Sequence, residues 1–361
     1  MSQLKVEVVE IDEILEHPNA DSLELARIKG WICIVKKGVF KSGDKCIYAP
    51  IDSVLPYILE DKLFSDAKVK LSKGRIKTIK LRGSISQGLV INPKTVGMEN
   101  KKVGADVTKE LGIEKYEPPQ KSCKSNEPKY YKYRNPNFKK YTDMENYKNY
   151  VGLFKEGEPV VVTEKIHGTN WRAGWVPTVA DTFWKKVKKF FGRLPEYEFV
   201  YGSRNVQLHD KKDWKGFYPG NVYYKIVEKY DIKNKLKPNE VIYGEVYGDG
   251  IQGNYSYGLK GEMDLVIFDM MHDGDYMCPK FAETWCENRN LPFVPVLYEG
   301  PFSIEKIVEL SKGASVLCPD QKVREGVVIK LTEEAATHMG RKVLKYVSDE
   351  YLLLKGNTDF H

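Results

Sequence analysis

Residues 159–170 constrain this chain more than any other stretch. Pro159-Val160-Val161-Val162 is a short β-branched run that reads as a buried strand. It leads into Thr163-Glu164-Lys165-Ile166-His167-Gly168-Thr169-Asn170. A lysine at the end of such a strand is carried by a rigid element, with its tip turned toward whatever lies above the sheet. Gly168 permits a tight turn and the close approach of a ligand. Taken alone, K-x-H-G is equally an ordinary strand-end lysine before a turn, because short patterns recur by chance.

Two later stretches carry groups that could face this lysine. Val241–Gly248 reads as a strand carrying Glu245, and Arg324–Lys330 as a strand with Glu325 at its start and Lys330 at its end. Between them, Asp264–Asp269 is an apolar strand holding Phe268, and Lys342-Val343-Leu344-Lys345 follows. Upstream, Glu198–Asn205 contributes Ser203-Arg204. Lysine, Ser-Arg, glutamate, phenylalanine, glutamate and lysine, in that order, resemble motifs I, Ia, III, IIIa, IV and V of the covalent nucleotidyltransferases, the superfamily of ligases and capping enzymes. Phe138–Asn146 followed by Glu164–Asn170 is similar to the opening of the RNA ligase 2-type enzymes, which have histidine where DNA ligases and capping enzymes usually have aspartate. The resemblance covers about residues 137–350.

Ahead of it, residues 1–115 read as an all-β module. Val6–Ile11, Leu25–Ile28, Trp31–Val35 and Cys46–Ala49 are short strand candidates separated by Lys29-Gly30, Lys37-Gly38 and Ser42-Gly43-Asp44 turns. Strands of this length and number suggest a small Greek-key barrel. His17–Leu23 and Leu81–Leu89 resemble segments of the OB modules attached to some aminoacyl-tRNA synthetases. OB barrels hold nucleic acid with basic grooves and stacking rings. In Lys73-Gly74-Arg75-Ile76-Lys77-Thr78-Ile79-Lys80-Leu81-Arg82, charged and apolar residues alternate, which on a strand puts the cations on one face. Lys73, Arg75, Lys77, Lys80 and Arg82 are therefore the candidate RNA-backbone contacts. The bland alternative is the solvated outer face of a barrel strand.

Residues 116–136 read as a polar, proline-punctuated linker, with Tyr130–Arg134 mixing rings and cations. Residues 137–361 are then the catalytic domain. Within it, residues 176–195 look inserted. Phe183, Trp184, Val187, Phe190 and Phe191 recur with helical spacing while Lys185, Lys186, Lys188 and Lys189 fill the other face. Such a basic amphipathic helix suggests membrane or nucleic acid, but the commoner case is a helix that packs its apolar stripe on its own domain, and a packed helix is expected, with its lysines free to reach RNA.

The expected fold class is α+β: an N-terminal OB-fold barrel joined to a nucleotidyltransferase (ATP-grasp-like ligase) domain of antiparallel sheets flanked by helices. This arrangement resembles the RNA ligase 5-type enzymes. The resemblance implies that Lys165 takes AMP from ATP, that AMP passes to a 5′-phosphate, and that a 3′-hydroxyl then seals the strand. Nicked duplex RNA is the expected partner and RNA repair the expected role, with Mg2+ or Mn2+ required. The roles it implies are as follows: Lys330 and Lys345 on the α-phosphate, Glu325 on the metal, Glu245 on the ribose, Phe268 stacked on adenine, Glu164 on the adenine edge, and Arg204 with Asn170 on phosphate or sugar. His167 is left with phosphate, a metal-bound water or only its neighbours. The chain ends soon after Lys345, so the pyrophosphate-orienting OB domain that follows motif V in DNA ligases has no counterpart, and Lys342 is a weaker match than Lys345. A capping guanylyltransferase, a DNA ligase or a non-catalytic RNA-binding protein are the competing readings.

Composition fits an enzyme of this kind. Of 361 residues, 42% are hydrophobic and 30% charged, and the net charge of +7 is compatible with a polyanionic partner. None of the six cysteines forms a C-x-x-C pair, which argues against zinc and for reduced, buried thiols. The N-terminus lacks a signal-peptide core and no apolar run is long enough to span a bilayer. These features lead to the expectation of a monomeric, intracellular protein, cytoplasmic or nuclear, with no membrane partner.

Overall fold

The computed structural model describes residues 4–65, 71–117, 135–180, 183–208, 218, 220–253, 255–354, 357 and 359. The chain divides into two compact units. One comprises Met1–Gln120, Asp143–Lys155 and Leu344–His361, and the other Lys121–Thr142 and Glu156–Val343. The units therefore follow other lines than the expected boundaries near residues 115 and 137: two later segments cluster with the N-terminal module. Most of the expected linker, including Tyr130–Arg134, lies outside the described residues.

In the first unit, strands β1 (Glu7–Glu10), β2 (Glu13–Glu16), β3 (Leu23–Ile28), β4 (Trp31–Lys36) and β5 (Lys45–Ala49) follow in close succession. Further on come β6 (Ser53–Val54), the helix α1 (Tyr57–Phe64), β7 (Thr78–Leu81), β8 (Ser84–Gln87), β9 (Leu89–Ile91) and β10 (Glu114–Lys115). They pair in the orders β1-β5-β9, β2-β3-β4, β7-β8 and β10-β6. Short antiparallel ladders of this kind make the barrel expected from the sequence. Helix α1 was not foreseen; it places Leu59 in a core with Val6, Val8, Ile47, Ile76, Ile91 and Val107. Two late segments complete this unit. Strand β11 (Glu145–Asn146) lies parallel to Leu344-Lys345. The buried ammonium of Lys148 donates to Gln87 at 2.9 Å and Asp349 at 2.7 Å.

The row of cations expected between Lys73 and Arg82 is not one strand. Lys73 and Gly74 both have positive φ (55° and 69°), and the chain turns there before β7 begins at Thr78. A Cβ on Gly74 would stand 2.5 Å from the Leu55 carbonyl oxygen. The turn sends Arg75 inward, where it is 6% exposed and donates to Asp52 at 2.6 Å. Its guanidinium also covers the Tyr116 ring at 3.6 Å. Arg75 is thus committed to the interior, whereas Lys73, Lys77, Lys80 and Arg82 are exposed.

The second unit is built on two sheets. Three strands, β12 (Pro159–Lys165), β19 (Val296–Pro301) and β20 (Gly326–Leu331), pair antiparallel with β12 in the middle. The other sheet runs in the order β15 (Gln207–Leu208), β14 (Tyr197–Ser203), β13 (Thr169–Pro177), β16 (Glu240–Gly248), β17 (Met263–His272) and β18 (Asp275–Tyr276). Alternation along β13 and β16 sends Trp171, Ala173, Ile242 and Val246 to one face. There they pack with Ile226 and Val227 of α3 (Val222–Lys229) and with Ala282 and Trp285 of α4 (Pro279–Glu287). Asn221 caps α3 by accepting the Tyr224 amide at 3.0 Å, and Pro279 opens α4, where no amide donor is needed. The opposite face, with Asn170, Arg172, Tyr243 and Glu245, is left to polar groups.

The expected packed helix forms as α2 (Phe183–Phe190), but it does not pack: none of its residues is buried. Periodicity announced the helix correctly and says nothing about what covers its apolar side. No helix among the described residues is long and apolar enough to cross a membrane.

Candidate active site

Lys165 is the last residue of β12, directly across from Gly326, the first residue of β20. That register puts Glu325 beside it, and Lys165 Nζ donates to Glu325 Oε1 at 2.7 Å. Glu325 is 1% exposed and the lysine 12%, so the pair is largely shielded from bulk water. His167 Nδ1 lies 3.5 Å from Glu325 Oε2.

The turn after Lys165 leaves no room for a side chain at Gly168, where a Cβ would stand 2.3 Å from the Val246 carbonyl oxygen and 2.9 Å from Glu245 Cγ. Glycine at this position brings the turn against β16, and a backbone hydrogen bond from Gly168 reaches Glu245. Burial pushes the Glu245 carboxyl up to about 8, and nearby Glu325 adds to this, while Lys165, Gly168 and Arg204 pull the other way. Asn170 lies opposite Glu245 in the ladder. Its Oδ1 is buried and accepts no hydrogen bond within the described residues.

The segment after β16 latches the turn. The Tyr257 hydroxyl accepts the His167 amide at 2.8 Å, and Gln252 Nε2 donates to the Gly168 carbonyl at 2.8 Å. The Tyr255 ring meets the His167 imidazole edge-on, with centroids 4.9 Å apart. His167 thus touches Tyr255, Tyr257 and Glu325. The tyrosines flanking the glycines were the available signal.

Glu164 leaves β12 on the face opposite Lys165, as alternation requires. Its Oε2 accepts the Val316 amide at 2.7 Å. Burial raises its carboxyl, and Ser315, Val316 and Arg324 only partly oppose that. The loop that closes over it is clamped by Arg324, which donates to the Ala314 and Leu310 carbonyls.

Phe268 owes its position to a register slip. Tyr243 pairs with Asp269 and Gly244 with Ile267, so Phe268 is the extra residue of a bulge, a common device for re-aiming a side chain. Its ring meets Tyr141 edge-on at 4.9 Å. Beside it lies a second charged cluster. Lys330 Nζ donates to the Phe268 carbonyl and to Asp269 Oδ2, each at 2.7 Å. The same carboxylate oxygen accepts Arg341 at 2.9 Å and the Tyr141 hydroxyl at 2.8 Å. Burial alone would raise Asp269, but Lys330 and Arg341 hold it below the usual carboxylate range. Burial, with Arg341 adding to it, lowers Lys330 despite Asp269. Asp269, Arg341 and Tyr141 were missed. The clue was a carboxylate in an apolar strand, which has to be paired if it is buried.

The structure thus brings Lys165, His167, Asn170, Arg204, Glu245 and Glu325 into one neighbourhood and sets Phe268 with Lys330 in the adjoining one. Arg204 also donates to the Thr142 carbonyl at 3.5 Å. Lys345 belongs to the other unit, where it is buried, donates to the Asp359 carbonyl and lies 3.5 Å from the Asp359 carboxylate. Lys342 is occupied by Glu158 at 2.6 and 2.8 Å.

No group of three or more His, Cys, Asp or Glu residues that could hold a metal occurs among the described residues. A zinc- or calcium-type cage is therefore not what this site offers. A single buried carboxylate such as Glu325 fits magnesium or manganese, which takes one or two protein oxygens and completes its shell with water and substrate phosphates.

Comparison with known proteins agrees with this geometry. An RNA ligase family model matches residues 158–347, and an OB-fold domain model matches residues 5–93. No curated protein matches the chain. Among solved structures, Naegleria gruberi RNA ligase bearing a point mutation, with ATP and Mn, is 25% identical, with a TM-score of 0.74 over 96% of this chain and 98% of that one. The same organism's RNA ligase with PPi matches at 25% identity and TM-score 0.74, covering 97% of this chain and 98% of that one. Another of its mutants, with AMP and Mn, gives the same four values. Since the ligase model spans more than half of the sequence and takes in Lys165, Glu245 and Glu325, the chain belongs to the RNA ligase family.

Proposed function

We propose that this enzyme is an ATP-dependent RNA ligase that seals 3′-OH/5′-phosphate ends, as in nicked RNA duplexes, by way of AMP carried on Lys165, and that its role is RNA repair. The observation that carries the reading is the Lys165–Glu325 contact of 2.7 Å at the end of a rigid strand, with Glu245 across from it. The Naegleria gruberi enzyme, solved with ATP and Mn and with AMP and Mn, supports the same donor and a divalent metal for this chain.

Lys165 attacks only as a neutral amine, while an ordinary lysine titrates near 10.4. Its contact with Glu325 at 2.7 Å has to open before attack. Glu325 is the residue that would hold Mg2+ or Mn2+, which when bound neutralises phosphate charge and disfavours the ammonium form of a neighbouring lysine. The amine then forms a P–N bond to the α-phosphorus and pyrophosphate leaves. A terminal 5′-phosphate oxygen next displaces Lys165 from the AMP phosphorus. Finally a 3′-hydroxyl attacks the activated 5′-phosphate, AMP leaves and the strand is sealed. Glu245, with Asn170 beside it, faces the ribose hydroxyls, and Phe268 offers its ring to adenine. Glu164 reads the adenine edge, and Arg204 grips phosphate. Lys330 and Lys345 are the cations assigned to the α-phosphate. Exposed Lys73, Lys77, Lys80 and Arg82 supply backbone contacts to RNA.

The test is transfer of label from α-labelled ATP to the protein in Mg2+ or Mn2+, beside Lys165→Ala and with GTP as control, followed by nicked RNA and DNA duplexes. An acid-stable band with ATP alone, absent in the mutant, and sealing of the RNA nick are expected. A band with GTP alone would point to a capping-type enzyme. If neither nucleotide labels the protein and its intact mass carries no AMP, the reading fails.

A further inference from the structure

Helix α2 and the residue that follows it carry four large rings in water. Phe183, Trp184, Phe190 and Phe191 are 72%, 73%, 85% and 64% exposed. At 3.6 residues per turn, they and Val187 fall within one arc of about 120°. Lys185, Lys186, Lys188 and Lys189 occupy the rest of the circumference, and Phe183–Arg193 contains no acidic residue. Lys186 and Lys188 flank the apolar arc on its two sides. Lys185 reaches out of the segment to Glu198, at 3.9 Å.

We propose that this face is an interfacial docking surface for an anionic lipid bilayer. The charge selects the partner. Five cations in a segment with no acidic residue match a negative surface and disfavour a second copy of this chain, whose net charge is +7. The segregation of the two faces selects the bilayer over nucleic acid. A strand-binding surface mixes rings and cations on one face, so that bases stack while phosphates are neutralised. On α2 the rings point one way, and the flanking lysines can lay their stems along the apolar edge and lift their ammonium groups to headgroup phosphates. Helix α2 lies along the surface and does not span it, consistent with the absence of a spanning helix among the described residues. The inference is independent of the chemistry at Lys165, and none of the α2 side chains belongs to that site.

The experiment is flotation of the full chain with phosphatidylcholine vesicles, with and without phosphatidylserine, scored with AMP labelling and circular dichroism. Binding to the mixed vesicles, weak binding to the neutral ones and release by salt are expected. Replacing the three lysines, Lys186→Gln, Lys188→Gln and Lys189→Gln, should weaken binding about 100-fold at low salt. Trp184→Ser with Phe190→Ser should remove it while the labelling and the circular dichroism spectrum stay unchanged. The proposal is overturned if the native chain ignores phosphatidylserine vesicles. It is also overturned if the Trp184→Ser/Phe190→Ser protein binds them as well as the native chain does. Loss of nicked-RNA affinity in that variant, without vesicle binding by the native chain, would assign the face to RNA, and loss of a native dimer would assign it to a second copy.

Discussion

Lys165 and Lys330 sit on neighbouring strands of one sheet, and each lies 2.7 Å from a carboxylate that is 1% exposed. Their surroundings differ. Lys330 also donates to a main-chain carbonyl, and its carboxylate is shared with Arg341 and Tyr141. Lys165 stands at the last position of its strand, before a turn packed too tightly for any side chain but hydrogen. Its carboxylate has His167 Nδ1 as a neighbour at 3.5 Å. The comparison teaches that an ion pair alone does not mark a reactive lysine. A group that must change partners during a reaction is held by few contacts at the end of an element. One that fixes the distance between two sheets is held by many.

The comparison breaks most sharply at the chemistry. Lys165→Ala should abolish AMP transfer, while Lys330→Met should slow the transfer, through the lost cation at the α-phosphate, and also cost stability. Removing Lys330 leaves Asp269 buried with one cation fewer, which should cost about 3 kcal/mol. Urea denaturation of Lys330→Met beside Lys165→Met measures this, and the smaller loss is expected at position 165, where the side chain lies nearer to solvent.

The pH dependence sharpens the contrast. The raised Glu245 carboxyl keeps its proton up to about pH 8 in the folded chain, whereas the unfolded chain releases it near its ordinary value. The folded state thus binds more protons across that window, so stability falls as pH rises through it. Glu245→Gln should flatten this part of the profile. A profile unchanged by the substitution would show that Glu245 titrates normally.

A smaller effect separates two cations of the barrel. Arg75→Ala should destabilise its unit, because Asp52 is left 2% exposed without its guanidinium. Lys80→Ala should leave stability within about 0.5 kcal/mol and lower the salt dependence of RNA binding by about one unit of slope.

The legible part of this molecule was the order of its strands and the residues at their ends. β-branched runs and turn residues located the strands that hold Lys165, Glu245 and Phe268 and the one that Glu325 precedes, and a buried strand leaves little freedom in where its side chains point. Pairings made by register and by turns were not legible. Alternation suggested that Arg75 faced outward with Lys77, because periodicity cannot register the reversal at Gly74. The apolar arc of α2 looked like core, because hydrophobic spacing describes a face and not its cover. The Asp269 cluster was missed because its members, Tyr141, Asp269, Lys330 and Arg341, are far apart in sequence and meet only when the two sheets stack.

The most direct measurement is peptide mapping of the protein after incubation with ATP and Mg2+ or Mn2+, to find which side chain carries AMP. The account predicts one AMP, on Lys165, with the peptide containing Lys330 unmodified. AMP on Lys330, or on any residue while Lys165 stays free, would contradict it.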